Sequence, residues 1–571
     1  MHASSIELQR RRIGRFLYGL AAAWLGLSLY LVWIQLIQHD HYRRQADLLQ
    51  HRRLLQPARR GLIYDRNGTP LAISTTGFAI FADPDQIRDK ARAARLLAPV
   101  LGMSEQDLFG LINRRGRFVP LLHRADKDLV RTLHARLRRH KLGGFAASPE
   151  PMRLYPRGTL ACHVLGFVDA EGKGGAGVES TYDRLLRGQD GLVVAEIDAR
   201  GRIIPGHRVL EQPPVAGADI TLTIDARIQE FAEQVLAQAV EQSQARGGTV
   251  LVADPATGEV LALANQPSFD PNHYQDYDPQ CWNNAAVTSP YEPGSTFKLV
   301  VALTALEEKA ISPGQVAVHC CGSLPVGHHI INCVMHGRSG GHGTLDLRGI
   351  IIKSCNVGAA TLGLKLGKRT LASYVHKLGF GQRVGLGLGG ETAGFVPPLA
   401  SWKNITVANV AFGQGVSITP PQLLAAYSAV ANGGVLPRLH LVSRVRDGRQ
   451  VRTFAPAGRR VVSAQSAALL QEYLRDAIEE GTGTLARVPG YTAAGKTGTA
   501  QKAPYDSGRY VGSFVGFVPA DKPRLAILAL IDEPKSSHYG GVVAAPVFRE
   551  VAELSLAYLS VPPEPIAHAG P

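Results

Sequence analysis

Tyr291-Glu-Pro-Gly-Ser-Thr-Phe-Lys-Leu-Val-Val-Ala-Leu-Thr-Ala305 is the stretch from which the rest of the chain can be read. Pro293-Gly294 stop the preceding chain, and the apolar run from Phe297 to Leu306 calls for a buried helix starting near Ser295. Ser295 and Lys298 stand three apart and share a face of the first turn. A serine placed there has a backbone N–H free to face an oxyanion, a hydroxyl beside an amine, and a helix dipole that favours negative charge. That is the layout of an activated nucleophile. Taken alone, the pattern is more economically an N-cap serine followed by a solvated lysine.

Two later segments reverse that balance. Lys353-Ser-Cys-Asn356 follows an apolar segment, 345–352, and precedes a helical pattern, 357–366, so Ser354 and Asn356 belong on a short turn between helices. Ala494-Gly-Lys-Thr-Gly-Thr-Ala500 stands beside strand-like runs at 510–518 and 525–531. On an edge strand, Lys496 with the hydroxyls of Thr497 and Thr499 offers a cation and donors to a carboxylate, and Gly498 lets a substrate backbone approach. Ser268-Phe-Asp270 imitates the second pattern, but it precedes Ser295 and reads as a turn.

The whole chain has 571 residues, 45% of them hydrophobic and 19% charged, with six cysteines and a net charge of +15. A length beyond about 250–300 residues requires more than one core, which excludes a small staple-dependent scaffold, and the composition excludes general disorder. The positive excess alone fits nucleic acid, a membrane surface or an acidic substrate. Its placement decides: residues 1–60 hold ten arginines against Glu7, Asp40 and Asp47, which is +7 of the +15.

Residues 16–37 carry no charge, and 22 helical residues span roughly 33 Å, enough for a hydrocarbon core of about 30 Å. Arg10, Arg11, Arg12 and Arg15 precede this run, which places 1–15 in the cytoplasm and the bulk of the chain across the membrane. A cleaved signal would have a shorter apolar region ending on small residues, whereas this one closes on Gln38-His-Asp-His-Tyr-Arg-Arg44. An uncleaved single-pass anchor is the expectation. No second run of this length follows, so a polytopic transporter is excluded, and a domain outside the cytoplasm has no nucleic acid to meet.

The expected organisation is α+β and multidomain: a stalk at 38–55, an extended α+β pedestal at 56–212, a catalytic domain at 213–560 and a disordered, proline-rich tail at 561–571. The pedestal carries turn signals such as Asp65-Arg-Asn-Gly68 and helical blocks at 87–97 and 125–142. A Pro/Gly seam at 211–217 marks the boundary, followed by a strand at 219–225, a helix at 227–246 and a hairpin across Pro255-Ala-Thr-Gly258.

Ser-x-x-Lys, Ser-x-Asn and Lys-Thr-Gly in this order resemble the class B penicillin-binding proteins, membrane-anchored peptidoglycan D,D-transpeptidases. Arg60-Gly-Leu-Ile-Tyr-Asp-Arg-Asn-Gly68, Arg153-Leu-Tyr-Pro156 and Gly177-Val-Glu179 are similar to that family's N-terminal motifs, as are Leu222-Thr-Ile-Asp225 with Gln229, and Ala411-Phe-Gly-Gln-Gly415 with Thr419-Pro420, to later segments. The resemblance implies a β-lactamase-like catalytic fold, an antiparallel sheet flanked by helices. It implies that Arg60, Gly61, Asp65, Arg66, Arg153 and Glu179 hold the pedestal to the catalytic domain through Arg–carboxylate contacts. It further implies Ser295 as nucleophile, Lys298 as its base and Ser354 as proton relay, with Asn356 holding Lys298 and the substrate amide. Lys496, Thr497 and Thr499 would take the terminal carboxylate, and the backbone N–H groups of Ser295 and Thr499 would form the oxyanion hole.

Asn at 356, Tyr539-Gly-Gly541 followed by Ala545-Pro-Val-Phe548, and the overall length resemble the division-type (FtsI-like) septal enzymes; an elongation-type transpeptidase is the alternative. A D,D-carboxypeptidase or β-lactamase, and a β-lactam sensor, use the same triple but would normally lack the anchor and pedestal or add a zinc protease. Implied partners are peptidoglycan stem peptides on a lipid-linked precursor, β-lactams, a SEDS-type glycan polymerase and other division proteins. No organic cofactor is implied.

The cysteines leave three readings open. In an oxidising space Cys320, Cys321 and Cys333 can form a disulfide. Cys321 (or Cys320), Cys333, His336 and His342 can instead offer two thiolates and two imidazoles to zinc. The third reading is unrelated thiols. Cys162, Cys281 and Cys355 read as small buried residues, and His163 as core or turn.

Overall fold

Residues 247–253 and 525–532 are apolar at almost every position, which suits strands covered on both faces. In the computed structural model they form the centre of a five-stranded antiparallel sheet with the spatial order Val260–Gln266, Gly247–Ala253, Leu525–Asp532, Tyr510–Val518, Ala494–Gln501. The structure describes residues 3–116, 118–198, 203–333, 340–505 and 507–564. Strand periodicity divides the side chains between two cores. Val250, Val252, Ile527 and Ala529 pack with Ile228 and Leu236 of the helix Ala226–Ser243 and Phe548 of the helix Ala545–Tyr558. Leu251, Leu528 and Leu530 join the core that holds Val300 and Leu303 of the helix Lys298–Glu307 and Leu423 of the helix Pro420–Ala431. The antiparallel sheet flanked by helices is the one the motifs imply, and its edge strand carries Lys496.

The chain separates into two compact units, 1–59 with 188–216, and 60–187 with 217–571. In the first, the helix Ala3–Val32 runs into a π-helical turn, Trp33–Ile37, and Ile6–Ile37 is long and apolar enough to cross a membrane. The stalk is a helix, His39–Gln50, followed by the strand His51–Gln56. That strand pairs with Gly191–Ile197, which pairs with Ile203–Gln212.

In the second unit, Asp89 and Asp126 cap the helices Lys90–Leu101 and Lys127–His140, close to the two helical blocks read from sequence. The strand Pro70–Ala82 lies between Val119–Ala125 and Phe145–Leu154. The short strand Ile63–Tyr64 pairs antiparallel with Pro70–Ala82 and parallel with Asp219–Leu222, Ile63 standing opposite Ile220. The sheet continues through Val442–Asp447 to Gln450–Thr453, so strands from both ends of the sequence share one set of hydrogen bonds.

The Arg–carboxylate expectation needs one correction. Arg60 Nε and Arg153 Nε donate to the two oxygens of Glu179 at 2.7 and 2.6 Å, Arg60 Nη1 reaches Asp183 at 2.7 Å, and Arg153 Nη1 donates to Gly61 O at 2.7 Å. This buried cluster ties residues 60–61 to 153 and 177–183, within the pedestal sequence. Of this motif group, the residues that reach the catalytic domain are Arg66, which meets Glu259 (2.9 Å), Asp65, which accepts from Ala226 N (3.2 Å), and Asn67, whose Nδ2 donates to Asp225 Oδ2 (3.0 Å). At the other end, the sequence leads one to expect a loose tail from Val561. Val561 O accepts from Tyr491 OH at 2.6 Å and the Glu564 carboxylate accepts from Thr492 N and Oγ1 at 3.0 and 2.8 Å, so 561–564 is held. Residues 565–571 lie outside the described residues.

Candidate active site

Ser295 sits on a 3-10 turn, Gly294–Phe297, and the regular helix begins only at Lys298. A helix starting near Ser295 is the sequence expectation; the tighter turn at its start is what the structure adds. With three residues per turn, positions i and i+3 eclipse, and Lys298 Nζ lies 2.7 Å from Ser295 Oγ. The turn is fixed from behind by Gly294 N donating to Gly413 O (3.0 Å), by Thr296 Oγ1 donating to Pro293 O (2.8 Å) and by Tyr427 OH donating to Thr296 O (2.9 Å).

The second motif closes on the same amine. Lys298 Nζ is 2.9 Å from Ser354 O, 3.3 Å from Ser354 Oγ and 2.7 Å from Asn356 Oδ1. Ser354 lies between the helices Leu347–Ile352 and Asn356–Leu366 at φ +53°, a backbone region an L-residue adopts at a cost. In that conformation both its carbonyl and its hydroxyl reach Lys298. The lysine is wholly buried, and burial pulls its amine down from 10.5 to about 7.

The third motif lies on the edge strand. Ala494–Gln501 packs on the Ser295 turn so closely that a Cβ on Gly498 would stand 2.4 Å from Ser513 Oγ, 2.9 Å from Thr296 Cγ2 and 3.0 Å from Pro293 O. The sequence assigns this glycine to substrate approach; the structure assigns it to the approach of the protein's own chain. Lys496 Nζ bonds to Thr497 Oγ1 (3.2 Å), Thr497 O (3.3 Å) and Thr482 Oγ1 (3.3 Å), and Thr482 Oγ1 is 2.6 Å from Thr497 Oγ1. Thr499 Oγ1 accepts from Gly540 N at 3.1 Å. Burial, with the nearby Lys298, pushes the Lys496 ammonium toward its neutral form. Two buried amines that have no carboxylate partner among the described residues make a site that a substrate carboxylate completes.

A serine hydroxyl beside a buried amine, and a second amine with threonine hydroxyls on an edge strand, are equipped for acyl transfer on a substrate that ends in a carboxylate. Residues 248–553 match the penicillin-binding protein transpeptidase domain, and residues 55–222 the penicillin-binding protein dimerisation domain. The chain belongs to the penicillin-binding protein transpeptidase family. Among its relatives, stage V sporulation protein D of Bacillus subtilis is 33% identical over 99% of this chain and 88% of the relative. Peptidoglycan D,D-transpeptidase FtsI of Escherichia coli is 31% identical over 94% and 89%. The crystal structure of penicillin binding protein 3 from Mycobacterium tuberculosis complexed with aztreonam is 30% identical, with a TM-score of 0.69 over 90% of this chain and 98% of that one.

In this penicillin-binding protein the structure also supplies residues that the motifs do not contain. Thr482 is one, and its only sequence signal is its position between two glycines, Gly481-Thr-Gly483, at the end of the helix Ala464–Glu479. A cavity of about 820 Å³ beside the serine turn is lined by Tyr291, Glu292, Gln501, Lys502 and Tyr505 among others; Ser295, Lys298 and Lys496 are not in its walls.

The cysteine expectations change most. Ligand atoms of Cys320, Cys333, His342 and Cys355 all lie within 4.8 Å of one another. Cys321, a candidate from spacing, is exposed and outside the group, and His336 lies outside the described residues. Cys355, read as a small buried residue, belongs to the group. Among the described residues no cysteine is disulfide-bonded. His163 is buried as expected, and burial lowers it to about 4.

Proposed function

We propose that this chain is a membrane-anchored class B peptidoglycan D,D-transpeptidase of the division type, working through an acyl-enzyme on Ser295. The assignment of roles rests on one observation: Lys298 Nζ has Ser295 Oγ, Ser354 O, Ser354 Oγ and Asn356 Oδ1 within 3.3 Å. In its neutral form Lys298 takes the proton of Ser295 Oγ as that oxygen bonds to the carbonyl carbon of the penultimate D-Ala. The backbone N–H groups of Ser295 and Thr499 hold the oxyanion, where loss of one donor costs about 10²–10³ in rate. As the C–N bond breaks, Ser354 Oγ relays the proton from Lys298 to the leaving amine, and terminal D-Ala departs. Lys496, with the hydroxyls of Thr497 and Thr499, holds that residue's carboxylate until then.

The amine of a neighbouring stem then attacks the ester, giving its proton to Lys298. Ser295 Oγ leaves with a proton from Lys298, and the new amide is the crosslink. A β-lactam acylates Ser295 in the same way and leaves an ester that is resolved slowly. With purified protein and stem-peptide substrates, release of D-Ala together with crosslinked dimer is the expected result. D-Ala release without dimer would make the chain a carboxypeptidase.

Arg10, Arg11, Arg12 and Arg15 support an N-terminus in the cytoplasm and a catalytic domain outside it. Asn356 and Tyr539-Gly-Gly541 support a septal role, with a SEDS-type polymerase and other division proteins as partners and the lipid-linked precursor as substrate source. A fluorescent fusion should gather at the division site; a lateral-wall pattern would give the elongation role instead.

A further inference from the structure

We propose that a second cavity in the catalytic domain, rimmed by Arg383, Arg438 and Arg459, binds stem-peptide carboxylates of an uncrosslinked glycan strand and so tethers the strand on which Ser295 works. The cavity has a volume of about 320 Å³ and shares no residue with the one beside the serine turn. Three segments build its rim. Arg383 lies past the helix Lys368–Lys377, Arg438 follows the strand Val435–Pro437, and Arg459 lies on the strand Gly458–Arg460, which pairs antiparallel with Val435–Pro437 and sets Arg459 opposite Leu436. Arg438 N donates to Ala457 O at 2.7 Å, and Gln422 Nε2, from the helix Pro420–Ala431, donates to Gln382 O at 2.6 Å. The frame is held by the protein's own bonds, so a ligand need not spend affinity on ordering it.

Charge and burial describe the occupant. Leu378, Leu436 and Leu439 are buried and give the cavity an apolar lining, while the three arginines are exposed. No aspartate or glutamate belongs to its walls, and among the described residues no side-chain hydrogen bond or ion pair engages any of the three guanidinium groups. Gathering three cations around one small cavity costs repulsion that an anion relieves. Arginines that served only solubility would gain nothing from it. Residues 438–460 hold seven arginines against Asp447, which is +6, and this segment alone accounts for most of the +8 left once the +7 of residues 1–60 is set aside. So one-sided a stretch suits charges repeated along a chain better than a single small ion. The volume stands near the lower limit of ligand pockets, about 300 Å³, so a residue or two enters and the rest of the ligand lies outside. Stem peptides on a glycan strand bring both parts: carboxylates at every repeat for the planar guanidinium forks, and alanine methyls for the leucines. A strand held here raises the effective concentration of its other stems at Ser295 with no new contact at the reacting atoms.

The anion site stands on its own geometry; the choice of strand rests on the function proposed above, and the two are separable by experiment. The full chain in detergent, with Ser295 blocked by a penicillin, should bind soluble uncrosslinked glycan–peptide strands, more weakly as salt is raised. Strands whose carboxylates have been converted to amides should bind about tenfold or more weakly, and so should the parent strands to the double variant Arg383→Glu/Arg459→Glu. Arg438→Gln should weaken binding in the same direction, while Arg92→Glu, an exposed arginine of the helix Lys90–Leu101 outside the cavity, should leave it unchanged. With Ser295 free, the double variant should show a raised KM for strands at unchanged kcat, and parental acylation by a fluorescent penicillin. Equal binding of amidated strands, undiminished binding by the double variant and by Arg438→Gln, or an equal loss in Arg92→Glu would each overturn the site. Inorganic pyrophosphate displacing the strand at lower concentration than a stem tripeptide does would overturn the carboxylate assignment in favour of a phosphate ligand. An unchanged KM for strands would overturn the tether. Strand binding that depends on Arg383 and Arg459 in a chain that forms no crosslinked dimer would instead keep the site and count against the proposed function.

Discussion

Lys298 Nζ lies 2.7 Å from Ser295 Oγ, three residues before it on a 3-10 turn. The same nitrogen is held by Ser354 and Asn356 from a turn more than fifty residues later. A buried amine with that many oxygen partners, and no carboxylate among the described residues, has its position determined by hydrogen bonds and its protonation by burial. The first predictions follow from this pair.

Ser295→Ala should abolish covalent labelling by a fluorescent penicillin while leaving the melting temperature within a few degrees of the parent. Residual labelling on a gel would mean that another residue is the nucleophile.

Acylation should rise with pH through about 7, because burial lowers the Lys298 amine to about 7 and only the neutral amine accepts the Ser295 proton. Below that value the amine is mostly protonated; above it the rate levels off. Roughly a tenfold gain in pre-steady-state acylation is expected from one pH unit below to one above. A flat or falling profile over that window would remove Lys298 from the role of base.

Ser354→Ala keeps the backbone turn but removes the hydroxyl 3.3 Å from Lys298 Nζ. Loss of a positioned proton-transfer group typically costs about 10²–10⁴ in rate. Acylation should therefore fall by at least about a hundredfold with little change in melting temperature; parental acylation kinetics would exclude the relay.

Gly498→Ala should destabilise the chain by about 1–3 kcal/mol, the usual range for overpacking, and also impair labelling. The added methyl meets Ser513 Oγ, Thr296 Cγ2 and Pro293 O together, so Ser513→Gly in the same chain should recover only part of the loss. Denaturant titration of the single and double variants measures both effects.

Glu179→Ala leaves Arg60 and Arg153 buried without their shared carboxylate. Removing one partner of a buried ion pair costs about 3–5 kcal/mol. A clear drop in thermal stability is expected, while Arg66→Ala, whose contact with Glu259 is partly exposed, should cost about 1 kcal/mol or less.

Much of the active site was legible because its chemistry is local in sequence. Ser295 and Lys298 share one turn, Ser354 and Asn356 share another, and Lys496 through Thr499 share one edge strand. The positions missed are those where distant segments meet. Thr482 reaches Lys496 and Thr497 only because the helix Ala464–Glu479 ends beside the edge strand. Arg60 and Arg153 meet on Glu179 within the pedestal sequence, while Arg66, Asn67 and Asp65 bond across to the catalytic domain, a division that motif likeness does not carry.

By itself the sequence determined the long apolar run near the N-terminus, the three motifs and their order, and the apolar strand-like runs beside the third motif, all set by spacing within a few residues. Tertiary structure alone decided that Gly498 faces the protein's own chain, and that Cys320 and Cys355 join Cys333 and His342 while Cys321 points to solvent. Cys320 ends the strand Val318–Cys320 and Cys321 lies just past it, so the two cannot be told apart until the strand's end and its register, Cys320 opposite Gly343, are known. That register comes from the pairing of segments more than twenty residues apart, and no local pattern records it.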